Sequence, residues 1–207
     1  MKAIMISGKP KWTALIMNGK KTDEIRKNKG LYKAIQKLID EYGHADIYWY
    51  CSKNGGNLVY GTEYYGGSFV DEYGITRGYS KQQASVIFGG LLNGKVLFKF
   101  RCYKVEEITP FEEYESPFGM AYKLKENKIV CCQKAQLTYD EYNHYLKGKN
   151  GYAIHINNLE IFDEPKELRE FIKCDNNHIR IGNCFIGFGG IPRLTKAPQN
   201  FCYVEVE

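Results

Sequence analysis

Residues 17–30 read MNGKKTDEIRKNKG, five lysines and arginines with two acids beside an apolar segment holding Trp12, Leu15 and Ile16. In an extended run, residues i and i+2 share a face. Thr22, Glu24 and Arg26 then project together, with Lys21 at the junction. A carboxylate and a guanidinium on one face form a charge-assisted pair that fixes the guanidinium plane and leaves the lysine to meet an anion. The same pattern reads as a structural ion pair on a partly wet strand, so both readings stay open.

Other residue types with chemical potential lack the spacing that chemistry needs. Gly89, Gly94 and Lys95 in GGLLNGKV approach phosphate-loop spacing, but Val96 stands where a magnesium-binding hydroxyl is required and the following residues are strand-patterned. GFGGIP near Gly187 shares only glycine content with a dinucleotide fingerprint, and Pro192 interrupts the helix that motif needs. The seven cysteines include no C-x-x-C pair, and several sit in apolar runs, which suits structural thiols in a reducing compartment. Four scattered histidines offer no zinc spacing; Cys174, His178 and Cys184 lie close but lack a fourth ligand. No metal and no cofactor is expected.

The 207 residues, 43% hydrophobic and 26% charged, suit a globular chain of one domain. No apolar run reaches the roughly 18 residues that span a bilayer, and the apolar run at the N-terminus is too short for a signal peptide. A soluble cytoplasmic protein without membrane contact is the expectation. Charge is unevenly spread. Residues 1–37 hold ten Lys and Arg against Asp23 and Glu24, a formal +8, whereas the other 170 residues hold 19 against 22, or −3. Such asymmetry points to an anionic partner, nucleic acid first, or to a solvated lysine-rich face.

The elements that must position these groups follow from periodicity. KAIMI reads as a buried strand, and Pro10 opens a short helix with Trp12, Leu15 and Ile16 on one face, stopped by Gly19. TDEIR is extended. Leu31, Ile35, Leu38, Ile39 and Tyr42 line one face of a second helix that Gly43 ends. ADIYWYCS is a strand; residues from about 55 to 90 are rich in glycine and tyrosine and read as an insertion of hairpins and loops. VLFKFRCYKV, YAIHINNLEIF and FCYVEVE are strands, YDEYNHYL is a short helix, and DEPKELREFI is a helix with Pro165 near its first turn. Strands exceed helices without regular alternation, which predicts an α+β mixed barrel or open sheet with flanking helices rather than a doubly wound fold.

Gly19, Lys21, Thr22, Glu24 and Arg26 resemble the G-x-K-T-x-E-x-R signature of the ASCH family, within the PUA-like superfamily, and Pro10 and Trp12 match its usual lead-in. GYAIHINNLEIFDEPKELREF and APQNFCYVEV resemble later strands of phage-like members, although Ala153 and Ile154 replace the aromatic expected before His155. The resemblance covers residues 1–30 and 95–207. It implies a small PUA-like β-barrel over residues 1–207, interrupted by the insertion, with a cleft lined by the signature. It also implies RNA or modified-nucleoside binding through Lys9, Trp12, Lys20, Lys21, Thr22, Arg26 and His155. Some members are amidohydrolases acting on N4-acetylcytidine, and others cleave RNA. An enzyme of this kind would use Lys21 and Glu24 catalytically, although Glu24 stands at the place of the family's threonine. Trp12 can stack a base or pack in the core, and the Gly/Tyr-rich insertion can meet a protein partner, as in a phage-type inhibitor.

Overall fold

A computed structural model describes residues 2–54, 58, 68–70, 76–78, 92–174, 179–181, 184–186 and 192–206. In chain order the elements are β1 (Ala3–Gly8), α1 (Pro10–Met17), β2 (Asp23–Arg26), α2 (Lys29–Tyr42), β3 (Ala45–Cys51), β4 (Ser68–Val70), β5 (Thr76–Gly78), β6 (Val96–Cys102) and β7 (Val105–Ile108). There follow β8 (Glu112–Ser116), β9 (Gly119–Lys123), α3 (Glu126–Ala135), α4 (Tyr139–Leu146), β10 (Gly151–His155), β11 (Asn157–Lys166), β12 (Phe171–Lys173), β13 (Ile179–Ile181), β14 (Cys184–Ile186) and β15 (Phe201–Val206). They form two compact units: Met1–Asn18, Asp46–Arg101 and Asn158–Glu207 make the first, Gly19–Ala45 and Cys102–Asn157 the second.

The first unit is built on a six-stranded sheet ordered β11-β6-β3-β1-β15-β12. β1 runs parallel to β3 and antiparallel to β15. Its apolar strands supply a core of Ile4, Met5, Ile6, Phe98, Phe100 and Phe171, all essentially inaccessible. Trp49 sits among them, stacked on Phe98 with ring centroids 5.5 Å apart. Its indole N–H, which must be satisfied when buried, donates to Thr13 Oγ1 of α1 at 2.9 Å. Gly8 is required at the end of β1, because a Cβ there would fall 1.9 Å from the Trp49 ring.

The second unit centres on a three-stranded antiparallel sheet, β2-β10-β7. α2 lays Leu31, Ala34, Ile35 and Leu38 inward. The Asn28 side chain caps its start by accepting from Leu31 N–H at 3.0 Å, and Gly43, at φ 77°, ends it in the left-handed region where a side chain is disfavoured. A core of Ile25, Phe111, Cys131, Cys132, Tyr142, Leu146 and Ala153 joins the sheet to α3 and α4. Thr138 and Glu141 form a capping box at the start of α4.

Four expectations change. The sheets do not close into a barrel: the six-stranded sheet ends at β11 and β12, so the architecture is mixed α/β with several open sheets. VLFKFRCYKV and YAIHINNLEIF each divide into two strands, β6 and β7, β10 and β11, that join different sheets. DEPKELREFI is not a helix; Asp163–Lys166 finish β11, a single 3-10 turn spans Leu168–Glu170, and β12 follows. The hairpin β8–β9 and α3 carry no expectation from the sequence at all. The proposed insertion lies outside the described residues except for Leu58 and the hairpin of β4 and β5.

Candidate functional site

The signature segment lies wholly in the second unit, and the sheet register sorts its side chains onto two faces. Glu24 pairs with Ile154 and Arg26 with Tyr152, so these four share one face; Asp23 pairs with His155 on the other. On the first face Arg26 Nε lies 2.7 Å from Glu24 Oε1, and Lys21 Nζ lies 3.4 Å from Glu24 Oε2. Lys21 and Glu24 are buried, at 3% and 6% exposure. The Lys21 ammonium also donates to the Ala135 carbonyl at 2.8 Å. Ala135 ends α3, where unsatisfied carbonyls and the negative end of the helix dipole favour a cation. Lys21 is therefore a helix cap and an ion-pair partner, and its charge is spent inside the fold.

Thr22 presents its side chain to solvent while its backbone is held on both sides: its N–H donates to Lys134 O at 2.9 Å and its carbonyl accepts from Ile156 N–H at 2.9 Å. Lys20 is exposed. Lys9 and Trp12 belong to the first unit, Lys9 exposed at the start of α1 and Trp12 half-buried with the Lys11 ammonium 4.5 Å from its ring centroid.

On the opposite face His155 is gripped by two carboxylates. Asp23 Oδ1 lies 2.8 Å from Nδ1 and Glu106 Oε2 lies 3.4 Å from Nε2, with Lys104 paired to Glu106. The Asp23 hydrogen bond is the main cause raising the His155 pKa, against the effect of burial; Lys104 holds the Glu106 carboxyl below its usual range. The neighbouring thiols are inert. Burial pushes Cys131 up to about 12 and Cys102 up to about 11, far from the thiolate a nucleophile requires. Among the described residues no cluster of His, Cys, Asp or Glu could hold a metal ion; His178 lies outside them.

What remains accessible is a cationic surface studded with aromatic rings. Lys27 reaches over Tyr145, 4.8 Å from the ring centroid. Tyr32 stacks on Tyr152 with centroids 4.5 Å apart and planes 13° apart, beside Arg26 on the same sheet face. Lys29, Lys33 and Lys37 are exposed at four-residue spacing on α2, hence on one side of it. Tyr32, Lys33, Gln36, Lys37, Asp40 and Glu41 line an open groove of about 450 Å³, the lysines toward its start and the acids toward its end. The lysine spacing is visible in KGLYKAIQK; the Tyr32–Tyr152 stack is not, because it joins residues far apart in sequence.

No family model and no curated protein matches the chain. Among solved structures, the N-terminal domain of Staphylothermus marinus McrB is similar at a TM-score of 0.39 and 9% identity, over 80% of this chain and 76% of that one. No described helix is long and apolar enough to cross a membrane.

Proposed function

We propose that the protein is an RNA or modified-nucleoside binding module of the ASCH type, with α2 and the neighbouring edge of the small sheet as its contact surface. The observation that carries this reading is the charge order of α2. Its exposed lysines, 29, 33 and 37, begin in the first turn, its acids Asp40 and Glu41 stand near its end, and no acid occupies the first turn nor any base the last. That order opposes the helix dipole, which favours acids at the start and bases at the end by about 0.3–1 kcal/mol each. A helix selected only for stability would carry the reverse. Here Lys29 adds to the positive end of the dipole, while Lys33 and Lys37 share a groove with Tyr32, a combination suited to phosphate contact and base stacking.

In this reading the G-x-K-T-x-E-x-R signature positions rather than reacts. Lys21 ties β2 to α3, and Glu24 orients Arg26. The hydrolase alternative asks Lys21 and Glu24 to meet substrate, yet their polar atoms are engaged with each other, with Arg26 and with a helix end. The test is fluorescence anisotropy with a short labelled single-stranded RNA, using the whole chain and its Lys29→Ala/Lys33→Ala/Lys37→Ala variant. Binding at low salt that the triple variant loses is expected. Equal binding by both proteins, or none by the parent, overturns the assignment to this surface.

A further inference from the structure

The first unit contains a second polar concavity, a groove of about 710 Å³ with three walls. Tyr50 and Lys53 at the end of β3 form one wall, Glu167–Arg169 around the 3-10 turn form another, and Leu194–Ala197 form the third. The last wall is anchored: Leu194 is buried and its N–H donates to Phe171 O at 2.8 Å, while Pro192 O accepts from Lys173 N–H at 2.8 Å. Lys53 runs beside Gly94. Gly94 has φ +84°, a conformation that favours glycine, and the Lys53 Cε lies 2.9 Å from where a Cβ would stand.

Cations outnumber anions in this groove. Lys53, Arg169 and Lys196 line it, against Glu167 alone. The Glu167 carboxylate is already paired with Lys95, which holds it below the usual carboxylate range. Glu170, next to this wall, accepts from Glu167 N–H at 2.6 Å and lies 3.8 Å from Lys166. Three positive groups, two of which (Arg169 and Lys53) also act on the Glu167 carboxylate, thus surround one concavity with the Thr195 hydroxyl and outnumber its single acid, and Leu168, Leu194 and Ala197 supply apolar surface at its side. A single carboxylate would satisfy one such cation. A group carrying two or more negative charges and several acceptor oxygens matches three, and the planar guanidinium of Arg169 suits phosphate oxygens in particular. The volume lies within the roughly 300–1,000 Å³ typical of small-molecule sites.

We propose that this groove is a binding site for a phosphate-bearing ligand, with Lys53, Arg169 and Lys196 on the phosphate and the Leu168–Leu194 side against the organic part. The phosphate can belong to a free nucleotide or to a nucleic-acid strand, and calorimetric titration of the whole chain separates these sources. ATP, pyrophosphate and a short single-stranded oligonucleotide are the probes. Lys53→Ala, Arg169→Ala and Lys196→Ala are each expected to weaken binding by about tenfold, the loss of one charge-assisted hydrogen bond, with an unchanged melting temperature because all three side chains are exposed. Arg169→Lys should lose most of the Arg169 contribution while keeping the charge. Binding of ATP or pyrophosphate that responds to these variants identifies a free phosphorylated ligand; a response seen only with the oligonucleotide identifies a strand. The Lys29→Ala/Lys33→Ala/Lys37→Ala variant separates this site from the α2 surface, since it leaves ATP and pyrophosphate binding intact and, for a strand, its effect adds to those of the groove variants. The proposal fails if the parent protein binds none of the three probes, or binds them with affinities that none of the groove substitutions changes.

Discussion

At residue scale, the charges around β2 act in two separate sets, and each makes a prediction. Glu24 neutralises Lys21 where water is excluded and also holds Arg26. Removing one member of a buried pair strands the other, at a cost of about 3–5 kcal/mol. Glu24→Gln is therefore expected to destabilise by about that amount in chemical denaturation, and Lys21→Met/Glu24→Gln by less than the sum of the single changes. Additive losses would show that Lys21 and Glu24 do not act as a pair. His155 supplies the second prediction. Its pKa is raised in the folded protein, first by Asp23. The stability it contributes is thus fully present below its unfolded value of about 6.5 and is lost as pH rises through the folded pKa. The facing groups on the packed elements are Asp23 and Glu106, with Lys104 behind; the Cys102 and Cys131 thiols titrate far higher. The melting temperature should fall over that window, and Asp23→Asn should flatten the fall and lower the His155 pKa measured by NMR. A profile unchanged by Asp23→Asn would remove the pair from the account. The alternation of β2 makes the Glu24–Arg26 pair legible in sequence. The role of Lys21 is not legible, because the carbonyl it caps lies 114 residues away, and no local pattern marks a partner that distant.

At the scale of elements, α2 is where stability and the proposed function pull apart. Lys29→Glu with Glu41→Lys would place charges in favour of the helix dipole, stabilising the protein by about 0.5–2 kcal/mol. The same exchange should weaken RNA binding in the anisotropy assay. A variant that is both more stable and an equal binder would show that the lysines serve only solubility. The amphipathic spacing of α2, its Gly43 stop, the unbroken apolar run of β1, buried on both faces, and the alternation within β6 and β15 are all readable in the sequence. DEPKELREFI misleads because Asp163–Lys166 are held in extended backbone as the end of β11, which leaves the helix-forming Leu168–Glu170 only a single 3-10 turn before Phe171, fully buried, pairs with Val206 across β12 and β15. The hairpin of β8 and β9 is obscured for another reason. Its residues are mostly exposed, with Phe118 fully so, and strands without a buried face lack the alternation that identifies them.

At the scale of the whole molecule, the charge distribution connects sequence to proposed function without passing through any single contact. The +8 of residues 1–37 exceeds the +5 of the entire chain, an excess of positive charge that can steer an anionic partner. Much of it is accessible: Lys20, Lys27, Lys29, Lys33 and Lys37 are exposed, and among the described cations of this segment Lys21 alone is buried. If about four of these groups meet phosphates of single-stranded RNA, log affinity should fall against log salt with a slope of about −3, from roughly −0.7 per contact. The Lys29→Ala/Lys33→Ala/Lys37→Ala variant should flatten that slope by about 2 without changing base preference, since phosphate contacts carry no sequence information. Tyr32→Ala should act differently, weakening binding by about 1–3 kcal/mol if the ring stacks a base, with the slope unchanged. Circular dichroism on the Tyr32→Ala protein distinguishes a lost contact from a lost fold, because Tyr32 is half-buried against Tyr152. A slope that stays the same after the three lysines are removed would place the phosphate contacts elsewhere on the molecule.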